Sequence, residues 1–213
     1  MHSDVLIVGR VGRLPRIECR GGLAARLTVA DTVHLLSAAA TPLGGDTISI
    51  RVVVEPGAKL RLRSVAATMV MPGVTDLTSQ AVLALEVAGH LDVDLQPTVV
   101  AADAIHTSSV RAAIDEAGTL ALRERVQIGR SYERHGLWTG SLHADVKGQP
   151  LLRHRIELGA GGVSDDILSA PRALVSTLCY PAPADEAAGE MPGTLSLDLA
   201  GGGVLTTWLG ERL

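Results

Sequence analysis

The sequence predicts an all-β chain of stacked layers with one or two short helices, and three observations predict it. Short runs of alternating apolar and polar residues recur along its 213 residues, separated by clusters of Gly, Pro and Asp. An acidic residue, a turn containing glycine and an alternating strand appear together three times, in Glu55-Pro-Gly-Ala-Lys-Leu60, Glu86-Val-Ala-Gly-His-Leu91 and Asp115-Glu-Ala-Gly-Thr-Leu120. The turn glycines Gly57, Gly89 and Gly118 lie 32 and 29 residues apart, a spacing that suggests layers winding in one direction, solenoid-like. Finally, 46% of residues are hydrophobic but only 2% are aromatic and Phe is absent, so Leu, Val and Ala must fill the core.

The elements follow in order. Strands are expected over residues 4–9, 23–29 and 33–39, where apolar positions alternate. The stretch from Thr41 to Gly73 reads as a Gly-Gly turn, a strand, the Pro56-Gly57 turn and a second strand running into Ala66-Ala67-Thr68. Ile48, Ile50, Val52 and Val54 share one face, and Leu60 and Leu62 resume the alternation, which predicts a long antiparallel hairpin. Strands at 79–87 and 90–95 come next, then a weaker helical pattern over 108–117. A strand covers 118–128, followed by strands at 141–146 and 151–158. A helix is predicted near 165–180: Pro171 suits a first turn, Leu174 and Leu178 fall four apart, and Pro181 stops it. Strands at 195–200 and 203–209 flank Gly201-Gly-Gly203 and complete the chain. No low-complexity linker divides it, so residues 1–213 are expected to form a single domain.

Charge and composition narrow the function. A net charge of −4 and a pI near 6.0 argue against a general nucleic-acid binder. Cys19 and Cys179 are too few and too distant in sequence to signal a disulfide framework or a zinc cluster. The start of the chain lacks a sustained apolar run, and no apolar stretch approaches the roughly 20 residues that span a bilayer. A soluble cytoplasmic protein with no membrane role is therefore expected, one that dissolves poorly alone because so much of it is apolar.

Catalytic motifs are missing: no G-x-S-x-G elbow, P-loop or H-E-x-x-H occurs. Glu124 is the most unusual residue. In the strand from Gly118, Leu120, Leu122, Glu124, Val126 and Ile128 share one face, so strict alternation sets a carboxylate among apolar side chains. Burying it ionised costs several kcal/mol unless it is paired, hydrated or bound to a cation. Three readings stand open: a salt bridge to an arginine of another strand, a local bulge turning Glu124 outward, or a carboxylate lining a water-filled passage that attracts a divalent cation. Asp46, after Gly44-Gly45, suits closing a turn through its own side chain, or lining a metal passage or partner contact. His154 lies with Leu152, Ile156 and Leu158, as a core histidine would. His90 shares its face with Asp92 and Asp94, a solvated face or a metal set, while His135 and His143 flank a Gly-rich connection. Imidazole suits nickel and zinc alike.

Several of these words, in this order, resemble the urease accessory protein UreD family (called UreH in some organisms). They are Gly44-Gly45-Asp46, Pro56-Gly57-Ala58, Ala66-Ala67-Thr68, Pro97-Thr98, the apolar strand with an internal acid ending in Gly129-Arg130, and Leu151-Leu152-Arg153. The resemblance runs over residues 20–160. The segment before Pro97 departs from it, because Asp92-Val-Asp-Leu-Gln96 lacks the family's aromatic residues, and the part beyond Gly161 matches loosely. The resemblance implies a non-catalytic scaffold with many strands in layers. It implies binding to UreF, which recruits the GTPase UreG, as a hetero-oligomer that docks on apo-urease. It also implies an internal tunnel that passes Ni²⁺, handled transiently with no tightly bound cofactor; Asp46 and Glu124 are then the candidate lining residues. A β-rich interaction module without a metal role, and a hydrolase of unfamiliar type, are the alternatives.

Overall fold

The computed structural model describes residues 1–162, 170–183 and 191–213, and among these it contains seventeen strands and no helix. Two sheets face each other. The first carries, in spatial order, β14 (Gln149–Gly159), β13 (Leu137–Val146), β11 (Ile105–Ile114), β8 (Thr78–Val87), β5 (Thr47–Val54), β1 (His2–Gly9) and β2 (Arg16–Arg20). The second carries β16 (Leu195–Asp198), β17 (Val204–Gly210), β15 (Ala173–Tyr180), β12 (Thr119–Ile128), β9 (His90–Asp94), β6 (Lys59–Ser64), β4 (Thr32–Ser37) and β3 (Leu23–Val29). Two short strands, β7 (Thr68–Val70) and β10 (Thr98–Val100), follow β6 and β9, and β10 pairs with the last residues of β12.

The solenoid-like all-β reading holds, but the pairing within it differs from a stack of hairpins. β5 does not pair with β6. It runs parallel to β1 and β8, while β6 runs parallel to β4 and β9. The chain crosses from the first sheet to the second at each glycine turn and returns to the next strand of the first sheet. β5, β8 and β11 thus stack in parallel above one another, as do β6, β9 and β12. A tight turn reverses the chain in either arrangement, and alternation identifies the buried face without naming the neighbour. Here the apolar faces of β5 and β6 meet across the core instead of lying side by side. Antiparallel pairs close the ends of the stack, through β2, β3 and β14 and through β15, β17 and β16.

Inside, the stacking brings like residues into rows. Ile50, Leu83, Val110 and Leu142 align across the first sheet, as do Val52, Leu85, Ala112 and Ala144. Leu60, Leu91 and Leu120 answer them from the second sheet, and all three are essentially fully buried.

Both predicted helices are strands. Residues 165–169 of the helix predicted over 165–180 lie outside the described residues, but Ala173–Tyr180 is β15, paired with β12 and β17. Leu174 and Leu178 are both buried. A spacing of four fits a helix face, and it equally keeps one face of a strand, because four is an even number of residues. Pro171 lies just before the strand and Pro181 just after it, so the prolines bound it without interrupting its ladder. The 108–117 pattern belongs to β11 for the same reason: Val110, Ala112 and Ile114 alternate into the core.

A candidate ion-handling cavity in a polar seam

The core is not continuous. One large apolar cluster includes Val110, Leu122 and Leu178, and a smaller one includes Ala104, Val126 and Leu174. On three of the strands that approach or cross the gap between them, inward positions there are polar. They are His106 and Ser108 on β11, Glu124 on β12 and Ser176 on β15, joined by Ser79 on β8. Register makes this a seam: Ser79 aligns with His106, and Glu124 with Ser176. Ser79, His106 and Ser176 are all buried.

A cavity of about 530 Å³ opens along this seam, well within the range of small-molecule sites. Ile48, Ile50, Leu83, Val110 and Leu122 form apolar walls, His106, Ser108 and Glu124 stand among the polar lining, and Arg123 and Arg125, both turned to Asp94, border it as well. The segment between β6 and β7 also borders it, and there Val65, Ala66 and Ala67 are exposed, giving the cavity an outer rim of small residues. Thr98, which follows Pro97, lies on the same wall.

Two of the three readings of Glu124 do not match the structure. The β12–β15 register runs unbroken through it, so no bulge turns it outward. No ion pair is formed either: Arg125 pairs with Asp94, and Arg123 lies 3.9 Å from the same carboxylate. Instead Glu124 lines the cavity, and its Oε1 accepts a hydrogen bond of 3.1 Å from the Ser108 hydroxyl, which reaches across from the facing sheet. Burial pushes its carboxyl up to about 7, with the Ser108 hydrogen bond opposing that only in part.

His106 carried no signal in the sequence reading. Its Nδ1 lies 2.9 Å from the Ser79 hydroxyl, and burial pushes its imidazole down to about 4, so the ring is neutral. Its clue was there to find: in Ile105–Ile114 it occupies the same alternating face as Val110, Ala112 and Ile114, as Glu124 does in its own strand.

Asp46 sits elsewhere. Its buried carboxylate accepts from the Leu43 N–H at 2.9 Å and the Thr41 hydroxyl at 2.8 Å, and pairs with the amino group of Met1. Burial alone would raise its pKa, but these donors outweigh burial and hold it below the usual carboxylate range. That is the turn-closing arrangement, set between the first sheet and the cavity wall at Thr41. Asp46→Ala is expected to cost about 1–3 kcal/mol by stranding these donors. The loss should shrink on acidification, since the wild-type contribution disappears as pH falls through the depressed pKa. Urea denaturation at two pH values measures both.

The remaining histidine candidates are separate from the seam. His90 is exposed and bonded to Thr119, Asp92 pairs with Arg63, and Asp94 with Arg125, so that face is a ladder of solvated ion pairs. His135 and His143 are exposed, and His154 is half-buried on edge strand β14. Among the described residues no group of three or more His, Cys, Asp or Glu could hold a metal ion.

A model of the UreD urease accessory protein family matches residues 19–207. The chain belongs to the UreD family. The match takes in the region beyond Gly161, which the sequence words reached only loosely. Among curated relatives, urease accessory protein UreD 1 of Saccharopolyspora erythraea is 35% identical over 193 residues, spanning 88% of this chain and 75% of that protein. Urease accessory protein UreD of Frankia alni is 34% identical, spanning 99% of this chain and 81% of its own length. Membership assigns this UreD-family chain a role in urease maturation, within the urease accessory system. Among the described residues no helix is long and apolar enough to cross a membrane.

Proposed function

We propose that this chain is the scaffold of a urease maturation complex and passes Ni²⁺ through its polar seam toward apo-urease. It works in the cytoplasm as a hetero-oligomer with UreF, which brings UreG, and it holds no cofactor tightly. The observation that carries the proposal is Glu124: a carboxylate lining a cavity, bonded to a serine hydroxyl and, among the described residues, in no ion pair, since Arg123 and Arg125 turn to Asp94. A passing divalent ion supplies the missing charge. The small number of ligating groups suits transit, because a complete ligand set would trap the ion. Asp46, already satisfied by three donors, enters the proposal as support for the wall and not as an ion contact.

Partner binding has its own support. Val65 at the cavity rim, and Met69, Val74 and Leu77 in the segment that follows it, leave large apolar side chains exposed, and such surfaces commonly mark protein contacts.

Co-expression of urease with the wild-type chain or with Glu124→Ala tests the proposal through the nickel content of purified urease. Glu124→Ala is expected to lower nickel per urease several-fold while pull-down of the partners is retained. Normal nickel loading in that variant removes the conduit role. Loss of loading together with loss of the complex favours the interaction-module reading.

A further inference from the structure

Resting on the nickel-handling reading, we propose that His106 is a second ligand beside Glu124, so that a divalent cation in the cavity is held between an imidazole nitrogen and a carboxylate from the two facing sheets. His106 is only 3% exposed, yet it lines the cavity. Its Nδ1 is engaged by Ser79, and the described residues form no hydrogen bond to its Nε2. With Nδ1–H donating to the Ser79 hydroxyl, Nε2 keeps its lone pair toward the open space. A hydrogen bond on the far nitrogen is how proteins commonly orient a metal-binding histidine. Burial keeps the ring neutral, the form that ligates.

The spacing permits one ion to meet both groups. His106 and Ser108 are alternate residues of β11, roughly 7 Å apart along the strand, and the Ser108 hydroxyl is 3.1 Å from Glu124. A cation that keeps part of its hydration shell bridges that span, directly on one side and through water on the other where needed. The imidazole adds selectivity. Carboxylate and water alone suit Mg²⁺ and Ca²⁺, whereas a carboxylate with imidazole favours Ni²⁺, Co²⁺ and Zn²⁺. Two protein ligands give preference without permanence.

The test uses the chain in its complex with the accessory partners, with Ni²⁺ as the probe in equilibrium dialysis against excess Mg²⁺. X-ray absorption then reports the ligands of the bound nickel. The wild type is expected to bind Ni²⁺ in the presence of Mg²⁺ with an imidazole signature. His106→Gln should lose that signature and bind about tenfold or more weakly, and Glu124→Ala should also weaken binding. An unchanged imidazole signature or affinity in His106→Gln overturns the inference. So does wild-type nickel bound without imidazole, a result independent of whether any variant folds. Should Glu124→Ala lower urease nickel while His106→Gln leaves both affinity and loading intact, His106 is not a ligand but the conduit stands. If neither variant changes binding or loading, both readings fall.

Discussion

The stability of the wild-type chain is expected to change little between pH 4.5 and 6.5, whereas Glu124→Gln and His106→Gln should tilt it in opposite directions. Glu124 titrates near 7 in the folded chain against an ordinary value of 4.5. Folding therefore retains a proton that the unfolded chain has lost, and this group's contribution falls as pH rises from 4.5 to 7. His106 titrates near 4 against an ordinary 6.5. The unfolded chain binds the extra proton there, so its contribution rises with pH over 4 to 6.5. Each limb amounts to about 3 kcal/mol at most, the Glu124 limb less because the cavity admits water to its carboxyl. In the wild type the two slopes oppose each other. Glu124→Gln leaves only the rising limb and should melt above the wild type near pH 8. His106→Gln leaves only the falling limb and should be at its most stable near pH 4.5. Thermal melts by circular dichroism across this range measure it. A Glu124→Gln profile that stays parallel to the wild type would mean that the carboxyl titrates normally and is not enclosed.

That interior pair shows what the sequence conveys about this fold and where it stops. The inward face of Leu120, Leu122, Glu124, Val126 and Ile128 was legible because a single strand's alternation is local. The same holds for most strands on both sheets. What partners a strand is not local. Val54 and Leu60 flank a turn that serves a hairpin or a crossing between sheets equally well, and only the packing of the next coil decides. Leu174 and Leu178 were ambiguous for a related reason, since a four-residue spacing satisfies both periods. His106 was hidden because the helical pattern over 108–117 began beyond it, and no strand was expected through 105–114 to carry the alternation that sets it beside Val110, Ala112 and Ile114. Asp46 illustrates the opposite case. Its turn chemistry was written in Gly44-Gly45-Asp46, and the structure gives it the three donors that such a turn requires.

The seam also explains how one fold can hold polar groups inside without collapsing around them. Ser108 and Ser79 bond to Glu124 and His106 respectively, so each titratable group has a hydrogen-bond partner. Serine hydroxyls both donate and accept. They can therefore follow a change in the protonation of either group with no rearrangement of the two sheets. The apolar clusters on either side fix the distance between the sheets.

Gly89→Ala is expected to destabilise the chain by about 3 kcal/mol or more, enough to remove most soluble folded protein. Gly89 sits where the chain turns from β8 into β9, directly above the preceding turn. A Cβ there would lie 2.3 Å from the Ala58 carbonyl oxygen and 2.5 Å from that of Glu55. Both are backbone atoms, so no side chain can swing aside. The first accepts from the His90 N–H at 2.8 Å and the second from the Ala58 N–H at 3.0 Å. Gly89 itself accepts from the Thr119 N–H of the next coil at 2.9 Å. An added methyl must therefore push one coil off its neighbour and weaken hydrogen bonds on both sides, a cost at or beyond the upper end of ordinary overpacking. Gly148→Ala is the control. Gly148 has a positive φ of 73° but nothing within 4 Å of an added Cβ, so it bears only the left-handed backbone penalty of about 1–2 kcal/mol. Urea midpoints of the two variants separate the causes. If Gly89→Ala unfolds no earlier than Gly148→Ala, the coils are not in contact at their turns. The width of the cavity would then have to be set by the sheets alone, since it is the close stacking of these turns that holds β8 and β11, with Ser79, His106 and Ser108, at a fixed height opposite Glu124.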